Sequence, residues 1–321
     1  MITTTAFDPI RRSFPNADIA LLVREALAPL FSDDSRLAAV LSYQPKNRFF
    51  ARLRRFRKQI STFRPDAVVH LHPEPALHLA AMLSGIPIRI GYRKGWLRGH
   101  THALPYRRHH GKKHEALHNF DLLNPLGIEV PDTLIPSLNI CFREDEVPVE
   151  LGTGQPYVVL HPFAHGAKPT WPWAHFAKVA NELRQRFSRA IVLVGDRDPE
   201  STVANILAAT DGDLPPLINL VGRTNLRQLA AVLAWADLVI SRDSGPAHLA
   251  TALDTPTITL MGQCDPVHSP NRWKPLGPKA RTIVRDLQAQ PGESRFDLWK
   301  RCFTDIDPAE VMEAAAPILM A

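Results

Sequence analysis

The chain has 321 residues and a formal net charge of +6 at pH 7, and it is long enough for two domains of ordinary size. It contains no run of about 18 or more uncharged apolar residues and opens with no secretory signal pattern, so neither a bilayer span nor secretion is expected. Cys141, Cys264 and Cys302 lie far apart in the sequence, which predicts neither a disulfide framework nor a zinc site and fits a reducing cytoplasm.

Positive charge is concentrated in residues 1–120, which carry 20 Lys and Arg against 8 Asp and Glu. Two stretches supply the excess, Lys46–Arg64 and Arg89–Lys113. A solvated helix face would explain such charge, and nucleic acid is a further candidate partner, although no nucleic-acid module signature accompanies it. We favour a peripheral contact with an anionic membrane surface or a phosphorylated acceptor, because four phenylalanines interleave with the arginines: Phe49, Phe50, Phe56 and Phe63.

The first half of the chain alternates short apolar runs with helical patterns. It opens with a helix-like segment, Met1–Pro15, and no strand precedes it, so this domain begins one element later than a βα domain normally does. The predicted strands that follow are Ile19–Val23, Ala38–Leu41, Ala67–Leu71 and Ile88–Gly91. The stretch from Gly127 to Pro148 is marked by prolines and is typical of a domain end and a linker.

The second half repeats the same alternation from Tyr157 onward. Its predicted strands are Tyr157–His161, Ala190–Val194, Leu217–Leu220, Leu238–Ser241 and Thr257–Met261. Its predicted helices are Ala174–Gln185, Glu200–Ala208, Asn225–Ala234, Pro246–Leu253 and Asp307–Leu319. This pattern predicts an α/β fold with two parallel-sheet domains, residues 1–150 and 151–321, and the last helix is a candidate to pack back on the first domain.

An anion site is predicted where the strand ending at Ser241 gives way to a helix opened by Gly245-Pro246. Ligands bind beyond the carboxyl ends of parallel strands, and the free amides of a helix N-terminus favour a diphosphate. Asp243 would repel a phosphate but suits sugar hydroxyls, whereas His248 on the first helical turn would face a leaving diphosphate. An ordinary helix cap with a histidine whose hydrogen bonds are satisfied is the alternative interpretation.

The sequence around this turn resembles glycosyltransferase family 9, the bacterial lipopolysaccharide heptosyltransferases. That family shows D-[TS]-G-P-x-H-L-A-A-A and then P-T-x-x-L-[FM]-G-x-x-D-P. The matching segments here are Asp243–Ala250 and Pro256–Pro266. Weaker resemblance covers most of the chain. The resemblance implies a GT-B architecture, in which two Rossmann-like domains face a cleft. The first domain would hold a lipid-linked acceptor, and the second would hold a nucleotide sugar, usually ADP-heptose.

The resemblance also implies donor-binding roles for individual residues. Asp243 would hold the heptose hydroxyls, and Ser244 and Gly245 would meet the diphosphate through their backbone amides. Thr224 falls where the family contacts adenine through the main chain. Glu200 lies near the ribose position, although a one-residue offset makes Pro199 the strict match.

One implied donor contact departs from the family pattern. The family places a lysine two residues before the Trp-Pro of its first C-domain loop, where it neutralises the diphosphate. That position is Pro169 here, and the nearest lysine is Lys168. A lysine side chain has the reach to compensate, and a surface lysine with no role is the alternative.

The acceptor loop of the family corresponds to Gly91–Arg98 and the helix after it to Tyr106–Glu115. Arg93, Lys94 and Arg98 are implied to neutralise phosphates and carboxylates of the acceptor. The spacing of the local histidines matches no ligand pattern, so no metal site is expected among them; they are His100, His102, His109, His110 and His114. Transfer in the family is metal-independent, inverts the anomeric centre and uses no cofactor beyond the ADP-sugar.

The expected general base is an Asp in a Gly-Asp pair between the family's opening strand and its first helix. That helix matches Met1–Ala6, so the Asp would precede Met1. Met1 is then either an internal methionine or the start of a truncated protein, and Asp8 further along the helix is not assigned as the base. Three functions stay open: a heptosyltransferase at the cytoplasmic face of the membrane, a catalytically inactive nucleotide-sugar-binding protein, and a sugar-nucleotide epimerase, which explains the basic first domain poorly.

Overall fold

The computed structural model describes residues 1–93, 99–152, 154–163, 168–196, 201–210, 214–263 and 266–320. The strands are β1 Ala20–Arg24, β2 Ala39–Tyr43, β3 Ala67–His70, β4 Ile88–Arg93, β5 His102–Pro105, β6 Tyr157–His161, β7 Ala190–Leu193, β8 Leu217–Asn219, β9 Leu238–Arg242, β10 Thr257–Gly262 and β11 Ala280–Arg285. The α-helices are α1 Phe7–Ser13, α2 Phe49–Phe63, α3 Pro75–Leu83, α4 Glu115–Leu123, α5 Trp173–Phe187, α6 Thr202–Ala208, α7 Leu226–Ala234, α8 Gly245–Ala252, α9 Pro270–Trp273, α10 Arg295–Thr304 and α11 Pro308–Leu319. No described helix combines the length and apolar character needed to cross a membrane.

The strands predicted from the sequence are all present, and their ends move by at most a few residues. β5 and β11 were not predicted. β5 is short, largely exposed and closed by a proline, and β11 carries an arginine near each end and is only partly buried. Neither sequence shows the continuous apolar run that a buried parallel strand shows.

The chain divides into two compact units, an N-terminal unit of Thr3–Leu134 and a C-terminal unit of Ile135–Ala321 with Met1–Ile2. The sequence placed this boundary at residue 150. The intervening segment belongs to the C-terminal unit because the Leu138 amide donates to the Ala252 carbonyl at 2.8 Å. In addition, Arg227 donates to the Glu146 carboxylate at 3.0 Å and to the Cys141 carbonyl at 2.7 Å.

The C-terminal unit is built on a parallel six-stranded sheet with the order β11-β10-β9-β6-β7-β8. Its central strands are buried on both faces, and their side chains join those of α5 and α11 in one apolar core. α11 packs on α5 of the same unit. From β6 the chain adds β7 and then β8 on one side. It then returns to place β9 on the other side of β6 and continues outward through β10 to β11. The boundary between β6 and β9 is therefore a topological switch point.

The N-terminal unit contains two parallel sheets, β1-β2 and β3-β4-β5. As the sequence predicted, helical turns (Ile2–Ala6 and α1) precede its first described strand. Within the described residues, no strand hydrogen-bonds to both β1 and β3.

α2 packs one stripe of apolar residues on the core of the N-terminal unit. Phe56 is fully buried against α3, because the residues at helical spacing from Phe49 form one stripe that packs on the core. Phe50 lies off this stripe and is 79% exposed. The interpretation of four interleaved phenylalanines as a membrane face was therefore wrong for Phe56. The exposed basic residues beside Phe50 form a surface that we call the basic face of α2: Arg54, Arg57 and Lys58.

Candidate functional site

The predicted anion site lies at the switch point of the C-terminal unit. β6 ends at His161 and pairs in parallel register with Ser241 of β9. Their side chains also meet, since His161 Nδ1 lies 3.2 Å from Ser241 Oγ. The loop after β9 therefore begins in the crevice where open α/β sheets bind ligands.

Ser244 occupies the N-cap position of α8 but does not cap it. A serine at this position usually accepts a hydrogen bond from an amide of the first helical turn. Here the Ser244 hydroxyl turns back, to 2.8 Å from Ser241 Oγ and 3.4 Å from His161 Nδ1. The side chain therefore leaves the helix amides available, and these amides together with the helix dipole favour an anion.

Gly245 opens α8 and borders space that no described side chain fills. Apart from its chain neighbours and the helix backbone, no described heavy atom lies within 4 Å of the position that a Cβ at Gly245 would take. Pro246 follows at the first turn, where its missing N–H removes no helical bond. The fold itself therefore does not require a glycine here, whereas a ligand that approaches the backbone closely does.

Asp243 and His248 face each other across the same turn. His248 Nε2 lies 3.3 Å from Asp243 Oδ1, and the two side chains are 14% and 25% exposed, respectively. The Asp243 amide donates to the Leu260 carbonyl of β10 at 3.3 Å, which fixes the backbone from which the carboxylate projects. The structure thus brings together four of the predicted donor residues: Asp243, Ser244, Gly245 and His248.

The sequence analysis did not assign two buried groups beneath this turn, His161 and Arg242. Burial, assisted by the charge of Arg242, lowers the pKa of His161 to about 4, so the imidazole is neutral at pH 7. Burial also lowers the pKa of Arg242, whose guanidinium lies over the Trp299 and Phe303 rings at 5.7 and 5.3 Å. The sequence does show that each of these polar residues ends an apolar strand, His161 in β6 and Arg242 in β9.

The remaining predicted donor residues follow other strands of this sheet. Lys168 is exposed in the segment after β6, just before Trp171, which is fully buried and donates to the Ile306 carbonyl at 2.9 Å. Thr224 is half-buried between β8 and α7. Glu200 lies outside the described residues. All these parallel strands end at the same edge of the sheet as β9, so their loops share that edge with Ser244.

The predicted acceptor residues belong to the N-terminal unit. Arg93 is exposed at the end of β4, while Lys94 and Arg98 lie outside the described residues. Arg108 is not available to an acceptor, because it is buried, donates to Glu115 at 2.6 Å and lies over the Tyr92 ring. A cavity of about 570 Å³ nearby is lined by both basic and apolar side chains, including Arg107, Lys112, Lys113, His110 and Tyr92.

Asp8 is already engaged within the N-terminal unit. Its carboxylate accepts from Arg36 at 2.9 Å, and Arg36 also donates to the buried Asp34 at 2.6 Å. The Asp8 carboxylate is therefore held in an ion pair with Arg36.

Comparison with known proteins supports the resemblance found in the sequence. Residues 53–301 match the family model described as glycosyltransferase family 9 (heptosyltransferase). The chain is 26% identical to lipopolysaccharide heptosyltransferase 3 of Escherichia coli strain K12, over 100% of this chain and 94% of that protein. Among solved structures, it is similar to a family 9 glycosyl transferase from Veillonella parvula, with a TM-score of 0.80, 21% identity and coverage of 99% and 93%.

A second solved structure, the ADP-heptose lipopolysaccharide heptosyltransferase II of E. coli, gives a TM-score of 0.77 at 22% identity and covers 99% of this chain and 94% of that one. These similarities confirm the α/β fold with parallel sheets of the GT-B heptosyltransferases. The chain belongs to glycosyltransferase family 9, the family of the lipopolysaccharide heptosyltransferases.

Proposed function

We propose that this protein transfers heptose from ADP-heptose to the inner core of a lipopolysaccharide precursor, without a metal ion and with inversion at the anomeric carbon. Two relatives support the choice of substrates, one named for lipopolysaccharide and the other for ADP-heptose and lipopolysaccharide. The basic N-terminal unit supports an anionic acceptor, and the α8 N-terminus supports a diphosphate donor.

The observation that carries the proposal is the uncapped α8 N-terminus at the β6–β9 switch point. The Ser244 hydroxyl contacts Ser241 and His161 rather than the helix amides, and none of the described residues outside α8 and the neighbouring chain fills the space beside Gly245. In this proposal the Ser244 and Gly245 amides bind the diphosphate, and Asp243 binds the heptose hydroxyls. Lys168, Thr224 and Glu200 serve the diphosphate, the adenine and the ribose, respectively.

The proposed reaction is a single displacement. An acceptor hydroxyl oxygen bonds to the anomeric carbon as the bond from that carbon to the diphosphate oxygen breaks, and ADP leaves with the electron pair. The charge that develops on the leaving oxygens is stabilised by the amides of α8, which are held in place before the reaction begins. His248, on the first turn of α8, provides a donor to the same oxygens. A general base takes the acceptor proton, and we assign this role to none of the described carboxylates.

The acceptor is proposed to bind the N-terminal unit through Arg93, Lys94 and Arg98. Arginine suits phosphate and carboxylate groups because its guanidinium can donate two parallel hydrogen bonds. The basic face of α2 is proposed to hold the protein peripherally on the anionic inner face of the cytoplasmic membrane.

Substitution of Gly245 tests the donor site. Gly245→Ala and Gly245→Val add increasing bulk to space that no described protein atom fills, so we expect ADP affinity to fall at least tenfold with alanine and further with valine. The melting temperature should change little with alanine, because alanine is the better helix former. Titration calorimetry with ADP measures the affinity. Unchanged affinity in both variants would show that the diphosphate does not bind beside Gly245.

Mass analysis of the acceptor after incubation with ADP-heptose then separates the two functional classes. A product heavier by one heptosyl group supports transfer. ADP binding without any product would instead support the nucleotide-sugar-binding protein.

A further inference from the structure

Three histidines that are distant in the sequence meet inside the N-terminal unit. His70 is the last residue of β3, His78 lies in the middle of α3, and His100 precedes β5. The ring centroids are 4.0 Å apart for His70 and His78, 4.5 Å for His78 and His100, and 5.2 Å for His70 and His100. We call this group the histidine cluster. The sequence analysis grouped His100 with four other histidines instead.

The ring nitrogens of the cluster are available as ligands. His70 is only 3% exposed, and neither of its ring nitrogens has a hydrogen-bond partner within the described chain; His100 Nε2 also lacks one. A buried polar group without a partner is costly and calls for an explanation. An ion bound by the nitrogens would supply one.

His78 is oriented by a second contact. Its Nδ1 lies 2.6 Å from the Glu74 carbonyl oxygen, so Nδ1 carries the proton and donates, and Nε2 is left with a free lone pair. Metal-binding histidines are commonly held in this way, with the other ring nitrogen donating to a backbone carbonyl. Burial lowers the pKa of all three imidazoles, which favours the neutral form that a metal requires.

The surrounding structure accommodates His100 at close range. A Cβ at Gly91 of β4 would overlap the His100 imidazole, so the glycine allows this ring to lie against the sheet. Arg89 contributes positive charge near His70 and His100 and opposes a cation. However, its guanidinium donates to the Gly99 and Ile86 carbonyls, and the Glu74 carboxylate contributes negative charge near His78.

We propose that His70, His78 and His100 bind one divalent transition-metal ion, with Zn²⁺ the favoured ion, through three imidazole nitrogens. Candidate ligand atoms, one from each residue, lie within 4.8 Å of one another. Three nitrogens bound to tetrahedral Zn²⁺ at about 2.1 Å are roughly 3.4 Å apart, so the stacked His70 and His78 rings must turn about χ2 as they close on the ion. The fourth position is open to water or an anionic ligand. The ion would connect β3, α3 and the segment before β5.

The wild-type protein tests the proposal without any substitution. The full chain, freed of any affinity tag and treated with a chelator, is titrated with ZnCl₂ by calorimetry and with CoCl₂ by visible spectroscopy. We expect one ion per chain, a rise in melting temperature with Zn²⁺, and the intense visible bands of four-coordinate Co²⁺. Absence of saturable Zn²⁺ binding, or a Co²⁺ spectrum no different from that of the aqueous ion, would overturn the proposal.

Substitutions then locate the ion. His78→Asn and His100→Asn should each weaken Zn²⁺ binding at least tenfold, whereas a control variant with His109→Asn and His110→Asn, both exposed in the same unit, should bind as the wild type does. His100 is more exposed than His78, so His100→Asn is the variant better suited to retain its fold, as circular dichroism would show. Wild-type affinity in a folded His100→Asn variant, or loss of binding in the control, would overturn the assignment. Every readout is metal binding, so the result is independent of the proposed heptosyl transfer.

Discussion

Replacement of Asp243 by alanine separates binding of the sugar from maintenance of the fold. The Asp243 side chain is 25% exposed, and its Oδ1 lies 3.3 Å from His248 Nε2. Such a partly exposed pair contributes at most about 1 kcal/mol to folding, so the melting temperature should shift little. A polar contact to the transferring sugar, in contrast, contributes about 2–4 kcal/mol to transition-state stabilisation, which is a loss of roughly 30- to 1000-fold in kcat/KM.

The assay measures initial rates of product formation with ADP-heptose and a lipopolysaccharide acceptor, alongside thermal unfolding. Asp254→Asn is a matched control, because Asp254 follows the other end of α8 and its carboxylate pairs with Lys279 at 2.7 Å, away from the switch point. Asparagine also tolerates the positive φ of 61° at that position. If Asp243→Ala keeps the wild-type kcat/KM, or if Asp254→Asn loses as much, Asp243 does not hold the sugar.

Phe56→Ala should lower the free energy of unfolding by about 3–5 kcal/mol, and Phe50→Ala should lower it by less than about 0.5 kcal/mol, because of these two residues Phe56 is buried and Phe50 is exposed. Urea titrations measure both values, and equal losses would contradict the packing of α2. Glutamine at all three positions of the basic face of α2 should weaken binding to anionic vesicles, most strongly at low salt, and unchanged sedimentation with vesicles would assign that face to solvent. The pKa of His161 falls from 6.5 to about 4 on folding, so the unfolded state binds more protons in that interval and stability declines as the pH drops through it. His161→Asn should flatten this part of the pH–stability profile, and an unaltered slope would show that other groups cause it.

Most of the C-terminal unit could be predicted closely because the strands β6, β7, β9 and β10 are buried on both faces and therefore read as continuous apolar runs. The turn from Ser241 to Gly245 could be predicted for the same reason, because it follows one of these strands. The direction of the Ser244 hydroxyl could not be predicted, because a serine at an N-cap position ordinarily binds the helix amides. Its contact with His161 depends on the pairing of β6 with β9, residues about eighty apart in the sequence, and no local pattern reports that pairing.

The N-terminal unit shows what sequence patterns miss. Alternation of phenylalanine with arginine is compatible with a membrane face or a core stripe, and only the packing against α3 shows that Phe56 belongs to the core. The histidine cluster had no recognisable spacing, because its members come from a strand end, a helix and a loop. Such a site is created by the topology of the sheet and is invisible to motif analysis.

Part of the positive charge of the N-terminal unit is balanced by ion pairs within that unit. Arg36, Arg52 and Arg108 pair with Asp34, Glu74 and Glu115, respectively. An arginine whose charge is balanced by a nearby carboxylate attracts an anionic ligand less strongly. Other basic side chains line two cavities, one of about 810 Å³ beside the basic face of α2 and the other of about 570 Å³ after β5. A membrane is a continuous anionic surface and engages an exposed helix face, whereas a phosphorylated sugar needs a cavity that can close around it. This difference supports our proposal that the basic face of α2 binds the membrane, and it favours the cavity after β5 for the proposed acceptor.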